Sequence, residues 1–184
     1  MHRKPTLKSA RPLAAPRLAL TVSTVLASLA LAGCTAAAPR GDISFASAQT
    51  ALQKGQAGRA IAHAEAAVLA EPRNPRYRAL LGAAYLEAGR FASAATAFGE
   101  ALDLGDQDAR TVLSFALAKT AVGEHRAAAA ILDEHERLLD PADLGLALAL
   151  AGQPERGSQV LINAVRASEE GQVSPKLRQN LAYA

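Results

Sequence analysis

Glycines recur at one fixed step, at Gly55, Gly89 and Gly123. Alanines keep the same step at Ala60, Ala94 and Ala128, and again at Ala67 and Ala101. A period shared by several offsets marks one supersecondary unit repeated along the chain, and such units bury their apolar faces only by stacking on one another. Residue types narrow the unit further. The chain is rich in alanine, with four Phe, three Tyr and no Trp, which suits closely packed helices better than sheets. The pattern predicts helices at about 43–54, 57–70, 75–88, 91–104, 108–121, 124–138, 142–151, 154–168 and 175–184. Within each unit the glycine ends one helix in a left-handed turn. Small residues at facing positions let the paired helices approach, and Leu, Tyr and Phe at helical spacing fill the groove between pairs.

The clearest unit is "NPRYRALLGAAYLEAGRFASAATAFGEALDLGD", with Leu81-Gly82, Tyr85, Gly89, Phe91, Ala94, Phe98 and Ala101. It resembles a tetratricopeptide repeat, whose period matches the glycine step and whose pattern is L-G-x2-Y, A-x3-F and a later Pro. Arg78 stands where that pattern favours Trp. The first unit is more degenerate, with Ala48, Ala60, Ala67 and a closing Pro72; the third has Phe115-Ala116, Gly123, Ala128 and Leu132, followed by Pro141. The next turn glycine, Gly152, falls short of a full step after Gly123, so a fourth unit reads as shortened, with Leu144-Gly145, Leu148, Gly157, Leu161 and Ala164. "KLRQNLAYA" reads as the start of one more repeat, with Leu181-Ala182 at the Leu-Gly positions. The resemblance implies an all-α solenoid of about four antiparallel helix pairs plus a C-terminal helix, spanning residues 43–184.

The amino-terminal region is of another kind. Residues 1–17 hold five basic side chains and no acid, and residues 18–39 carry no charge at all. A basic segment, an apolar run and small residues at its end read as a secretory signal peptide. The uncharged run also has the length of a membrane span, although its second half, "GCTAAAP", is weakly apolar. Leu31-Ala32-Gly33-Cys34 resembles the lipobox of bacterial lipoprotein precursors, and Cys34 is the only cysteine of the chain. That resemblance implies cleavage before Cys34, a diacylglycerol on its thiol and an acylated new amino terminus, palmitate being a typical chain. The expected organisation is therefore a signal peptide at 1–33, a lipidated Cys34 with a short tether to residue 42, and the solenoid at 43–184. Thr35 stands where many inner-membrane lipoproteins carry Asp. By resemblance to those sorting rules, the chain is expected at the outer membrane, facing the periplasm.

Removal of residues 1–33 changes the charge argument. Of the chain's 20 Lys and Arg residues five lie there, so 15 remain against 17 acids, a net charge of −2. No basic face for nucleic acid is implied. No glycine-rich phosphate loop, nucleophile elbow or H-E-x-x-H motif occurs, so neither an enzyme nor a cofactor or small-molecule site is expected. The tract Asp133 to Glu136 with His125 is better read as a solvated polar face than as a metal site, since His135 and Glu136 would diverge by about 100° on one helix. Glu169 and Glu170 have no evident acid–base partner.

Partners of tetratricopeptide proteins often lie along the concave surface made by the first helix of each pair. The matching positions are Arg76, Ala79, Ala83, Leu86, Arg110, Leu113 and Leu117. Some family members hold an acidic terminus there with Lys and Asn residues; only the two arginines suit that, and no asparagine matches. The face is mostly small and apolar, which favours a helix or an extended protein segment as its ligand. Residue by residue, packing against the next repeat explains these positions equally well. Lipobox, Ala-rich repeats, the shortened "DLGLALALAGQPERG" unit and "SPKLRQNLAYA" together resemble the tetratricopeptide lipoprotein of the tight-adherence (Tad, Flp-type) pilus system, TadD-like. Members of that family usually continue past "RQNLA" into a completed pair. The resemblance implies a membrane-anchored scaffold for pilus or secretion assembly. The alternative is an adaptor that recruits peptidoglycan enzymes to the envelope.

Overall fold

A computed structural model describes residues 40–168 and 173–184 of the chain. Among the described residues there are nine α-helices and no strand. They are α1 (Arg40–Gln53), α2 (Ala57–Ala70), α3 (Pro75–Glu87), α4 (Phe91–Asp103), α5 (Ala109–Ala121), α6 (His125–Glu134), α7 (Pro141–Leu150), α8 (Pro154–Ala167) and α9 (Pro175–Tyr183). Each odd helix packs on the even helix that follows, and successive pairs stack, with α9 closing against α7 and α8.

Two kinds of signal start and stop these helices, and they alternate, except that Gly105 after α4 makes the same left-handed turn as the odd helices. After α1, α3, α5 and α7 stand Gly55, Gly89, Gly123 and Gly152, all at positive φ. At Gly89 the amide donates to the Leu86 carbonyl and the Arg90 amide reaches back to Tyr85, the paired bonds of a Schellman cap. The next helix begins at once, without a side-chain cap on α2, α4, α6 or α8. The odd helices after the first begin differently. Asn74, Asp108 and Asp140 accept the amides of Arg76, Arg110 and Ala142, and Ser174 accepts that of Leu177. These are N-caps that satisfy otherwise orphaned donors, with proline at the first position of α3, α7 and α9.

The core forms four linked clusters. Ala48, Ala60, Ala64, Leu81 and Ala84 join the first two pairs, and Ala94, Phe98 and Ala118 join the second to the third. Val112, Ala116, Leu132, Leu139, Leu144 and Leu148 join the third to the fourth. Leu161 and Leu177 lock α9 onto the end, where the buried Asn180 amide donates to the Ala142 carbonyl at 2.7 Å. Close approach inside the pairs depends on glycine. A Cβ on Gly82 would lie 2.7 Å from the Phe98 ring, and one on Gly157 would meet the Gly145 carbonyl and the Ala149 amide nitrogen.

Most helix ends fall where the repeat period puts them, with three departures. The first helix starts at Arg40, ahead of the expected position 43, held there by Asp42 accepting from the Tyr77 hydroxyl at 2.5 Å. The expected helix 124–138 ends at Glu134, His135 caps it, and Glu136–Leu138 make a single 3-10 turn. The tract Asp133 to Glu136 is therefore not one helical face. Finally, the shortening is shared between two units: α6 and α7 have ten residues each, against 13 in α3, α4 and α5. Cys34, the segment 1–33 expected to be a signal peptide, and residues Glu169 and Glu170 lie outside the described residues.

Candidate functional site

Because every odd helix before α9 ends in the same glycine turn, positions counted back from that glycine lie on one side of the stack. Six residues before the turns stand Gln49, Ala83, Leu117 and Leu146; ten before stand Phe45, Ala79, Leu113 and Ala142. The structure gathers most of these into two hollows along the inner face. The first, about 390 Å³, is lined from α1, α3 and α5, with Phe45, Gln49, Arg76, Ala79, Ala83 and Arg110 among its walls. The second, about 170 Å³, lies between α5 and α7 and is lined by Leu113, Leu117, Leu146 and Leu150 with Thr120 and Asp143.

The first hollow mixes charged and polar groups with apolar walls. The Arg76 guanidinium lies 5.1 Å from the centre of the Phe45 ring, a cation–π contact, and that ring stacks at 5.2 Å on Tyr77. Tyr77 is buried, and its bond to the Asp42 carboxylate, reinforced by burial, pushes the phenol pKa up to about 12. Asp106 and Asp108 are bound by the fold: Asp106 accepts the Thr111 hydroxyl and the Asp108 amide, while Asp108 caps α5. The Arg110 amide bond and its guanidinium at 3.2 Å hold the Asp108 carboxyl below the usual carboxylate range. The second hollow is greasy. Leu117 is 46% exposed and Leu150 53%, an unusual exposure for residues that line one continuous trough.

Of the positions expected from sequence, Arg76, Ala79, Ala83 and Arg110 come together in the first hollow and Leu113 and Leu117 in the second. Leu86 packs, half-buried, against the cluster of Ala94, Ala95, Phe98 and Ala118. Phe45, Gln49, Leu146 and Leu150 are absent from the sequence-derived set. Counting back from Gly55 and Gly152 supplies Phe45, Gln49 and Leu146. Elsewhere, the His135 ring nitrogen Nδ1 bonds the Ile131 carbonyl at 3.0 Å. Among the described residues no cluster of three His, Cys, Asp or Glu could hold a metal ion.

Residues 51–112 match the family model described as a tetratricopeptide repeat. The fold is a tetratricopeptide solenoid. It is similar to MamA (residue 41 to its end) from Desulfovibrio magneticus RS-1, at 18% identity and TM-score 0.64, covering 78% of this chain and 82% of that one. A thermophilic tetratricopeptide protein of Thermus thermophilus, TTC0263, aligns at 21% identity and TM-score 0.59, covering 74% of this chain and 76% of that one. The TPR2B domain of yeast Sti1, solved in complex with pHsp70, aligns at 18% identity and TM-score 0.54, covering 65% of this chain and 97% of that domain. No curated protein sequence matches the chain.

Proposed function

We propose that this protein is a lipid-anchored scaffold that holds protein partners in its inner groove during assembly of an envelope machine of the pilus or secretion type. The observation that carries the binding role is the trough between α5 and α7, where Leu117 and Leu150 stay open to solvent and join Leu113 and Leu146 in one apolar lining. Exposed leucines lining a concave surface fit the apolar side of a helix or an extended segment. The yeast Sti1 domain of the same fold is itself solved with a protein partner. The anchoring role rests on Leu31-Ala32-Gly33-Cys34 at the end of a basic-then-apolar segment. Two or three acyl chains at Cys34 would hold the solenoid firmly, at about 0.8 kcal/mol for each buried methylene. Thr35 supports an outer-membrane position facing the periplasm, and the pilus assignment rests on the resemblance of residues 142–184.

The test is crosslinking in intact cells with and without the pair Leu117→Glu and Leu150→Glu. Both side chains are half exposed or nearly so, so the domain should stay folded, whereas a charge buried under a partner costs several kcal/mol unless paired. Capture of pilus or secretion components is expected to disappear. An unchanged set of partners would remove the groove from the account, and a set dominated by cell-wall hydrolases would favour the peptidoglycan adaptor. Cys34→Ser should separately abolish acyl labelling; maturation before residue 34 with full membrane retention would refute the anchor.

A further inference from the structure

The outer face of the first helix pair, at the end of the stack, has a charge pattern of its own. Its acids all turn toward the second pair or the loop leading to it. Asp42 accepts from the Tyr77 hydroxyl, Glu65 from the Tyr85 hydroxyl at 2.8 Å, and Glu71 from the Asn74 amide at 3.1 Å. Its bases turn outward. A shallow hollow of about 510 Å³ on that face is lined by Lys54, Arg59 and His63 with Ile43, Ser47 and Thr50, and no acid. Among the described residues neither Lys54 nor Arg59 forms an ion pair. The Ser47 and Thr50 hydroxyls are spent on carbonyls of their own helix, and Ile43 is 58% exposed.

A terminal repeat needs a polar outer face for solubility, but that need does not call for a single sign. The start of α1 adds a second constraint. With Arg40 already helical, only residues 35–39 separate it from Cys34, a reach of at most about 22 Å when fully extended. We infer that this face lies against the anionic phospholipid headgroups of the membrane that Cys34 anchors, with Lys54, Arg59 and His63 toward phosphate and Ile43 toward the interface. This inference rests on the anchoring proposed above. Contact there orients the solenoid, leaving the trough between α5 and α7 away from the bilayer and open to partners.

The experiment supplies the anchor chemically, so that its outcome is separate from lipidation in cells. A chain starting at Cys34, which keeps the compact unit Ala38–Ala184, is coupled through its only thiol to maleimide-headgroup lipid. The vesicles contain phosphatidylcholine alone or phosphatidylcholine with phosphatidylglycerol. Acetylation rates are then read at the three lysines present, Lys54, Lys119 and Lys176. Lys54 is expected to slow at least about fivefold on the anionic vesicles, the effect of roughly one surface cation. Lys119 and Lys176 should keep their rates, and high salt should reverse the effect. Arg59→Glu should cut the protection by roughly fivefold or more. Equal Lys54 rates on both vesicle types would overturn the inference while leaving acyl labelling of Cys34 to decide the anchor. Protection that appears without vesicles and rises with protein concentration would assign the face to a second copy and overturn it as well.

Discussion

The second and fourth helix pairs occupy equivalent places in the repeat and solve the same packing problem differently. In the second, Gly82 leaves room for the ring of Phe98, an aromatic plug that is 2% exposed. In the fourth, Gly145 and Gly157 face each other, so that backbone meets backbone and Leu161 fills what remains. Their inner faces diverge in parallel: Arg76 over Phe45 beside the second pair, Leu146 and Leu150 on the fourth. The repeat thus fixes where a small residue must stand, while the filling and the outward chemistry are free to change.

The sharpest way to break the comparison is a large residue at each glycine. Gly157→Leu should be the most damaging change in the molecule, about 3 kcal/mol or more, because its neighbours are backbone atoms that cannot rotate away. Gly82→Leu should cost less, roughly 1–3 kcal/mol, and Phe98→Leu in the same chain should restore part of it. Urea melts of these variants order the effects; equal losses at Gly157 and Gly82 would mean that the two pairs pack alike after all.

Tyr77 gives a smaller effect with a defined pH window. Its folded pKa lies above the ordinary phenol value, at about 12, so folding favours the protonated form. The stability it contributes is fully present below about pH 10 and fades as pH rises from there toward about 12. Tyr77→Phe should lower stability at neutral pH, through loss of the bond to Asp42, and should flatten the alkaline decline. A decline of the same steepness in the variant would place its cause elsewhere. Least of all, Arg90→Ala should change stability by about 0.5 kcal/mol, since the guanidinium merely rests 4.5 Å from the Tyr85 ring centre on an exposed edge.

Much of this architecture is legible in the chain because turn glycines and small facing residues are local and periodic. Gly89 and Gly82 announce themselves wherever the count begins. The break at His135 is not legible, because the short step between Gly123 and Gly152 leaves open which helix gives up the missing residues. Nothing local distinguishes a helix that continues through His135 from one that stops there; the decision belongs to Leu139, which must reach the core. The inner groove is half legible when only α3 and α5 are used to project it. The same count from Gly152 finds Leu146, while Leu150, two residues before that glycine, follows only from the structure. The mixed character of the first hollow is also hidden, because the role of Phe45 depends on neighbours from another helix.

Leu139 carries one more consequence. It is 7% exposed and sits in a cluster with residues of α5, α6 and α7. A solenoid is commonly treated as a row of units with nearest-neighbour coupling, each able to open alone. Here the connecting segment is itself part of the shared core, so opening the fourth pair must also extract Leu139 from the third. The shortened region should therefore behave as one cooperative foldon reaching from α5 to α7. Slow amide exchange in α5 and α7 with a common opening free energy would be its signature. The place where the repeat is least regular is then where the row ceases to be a row.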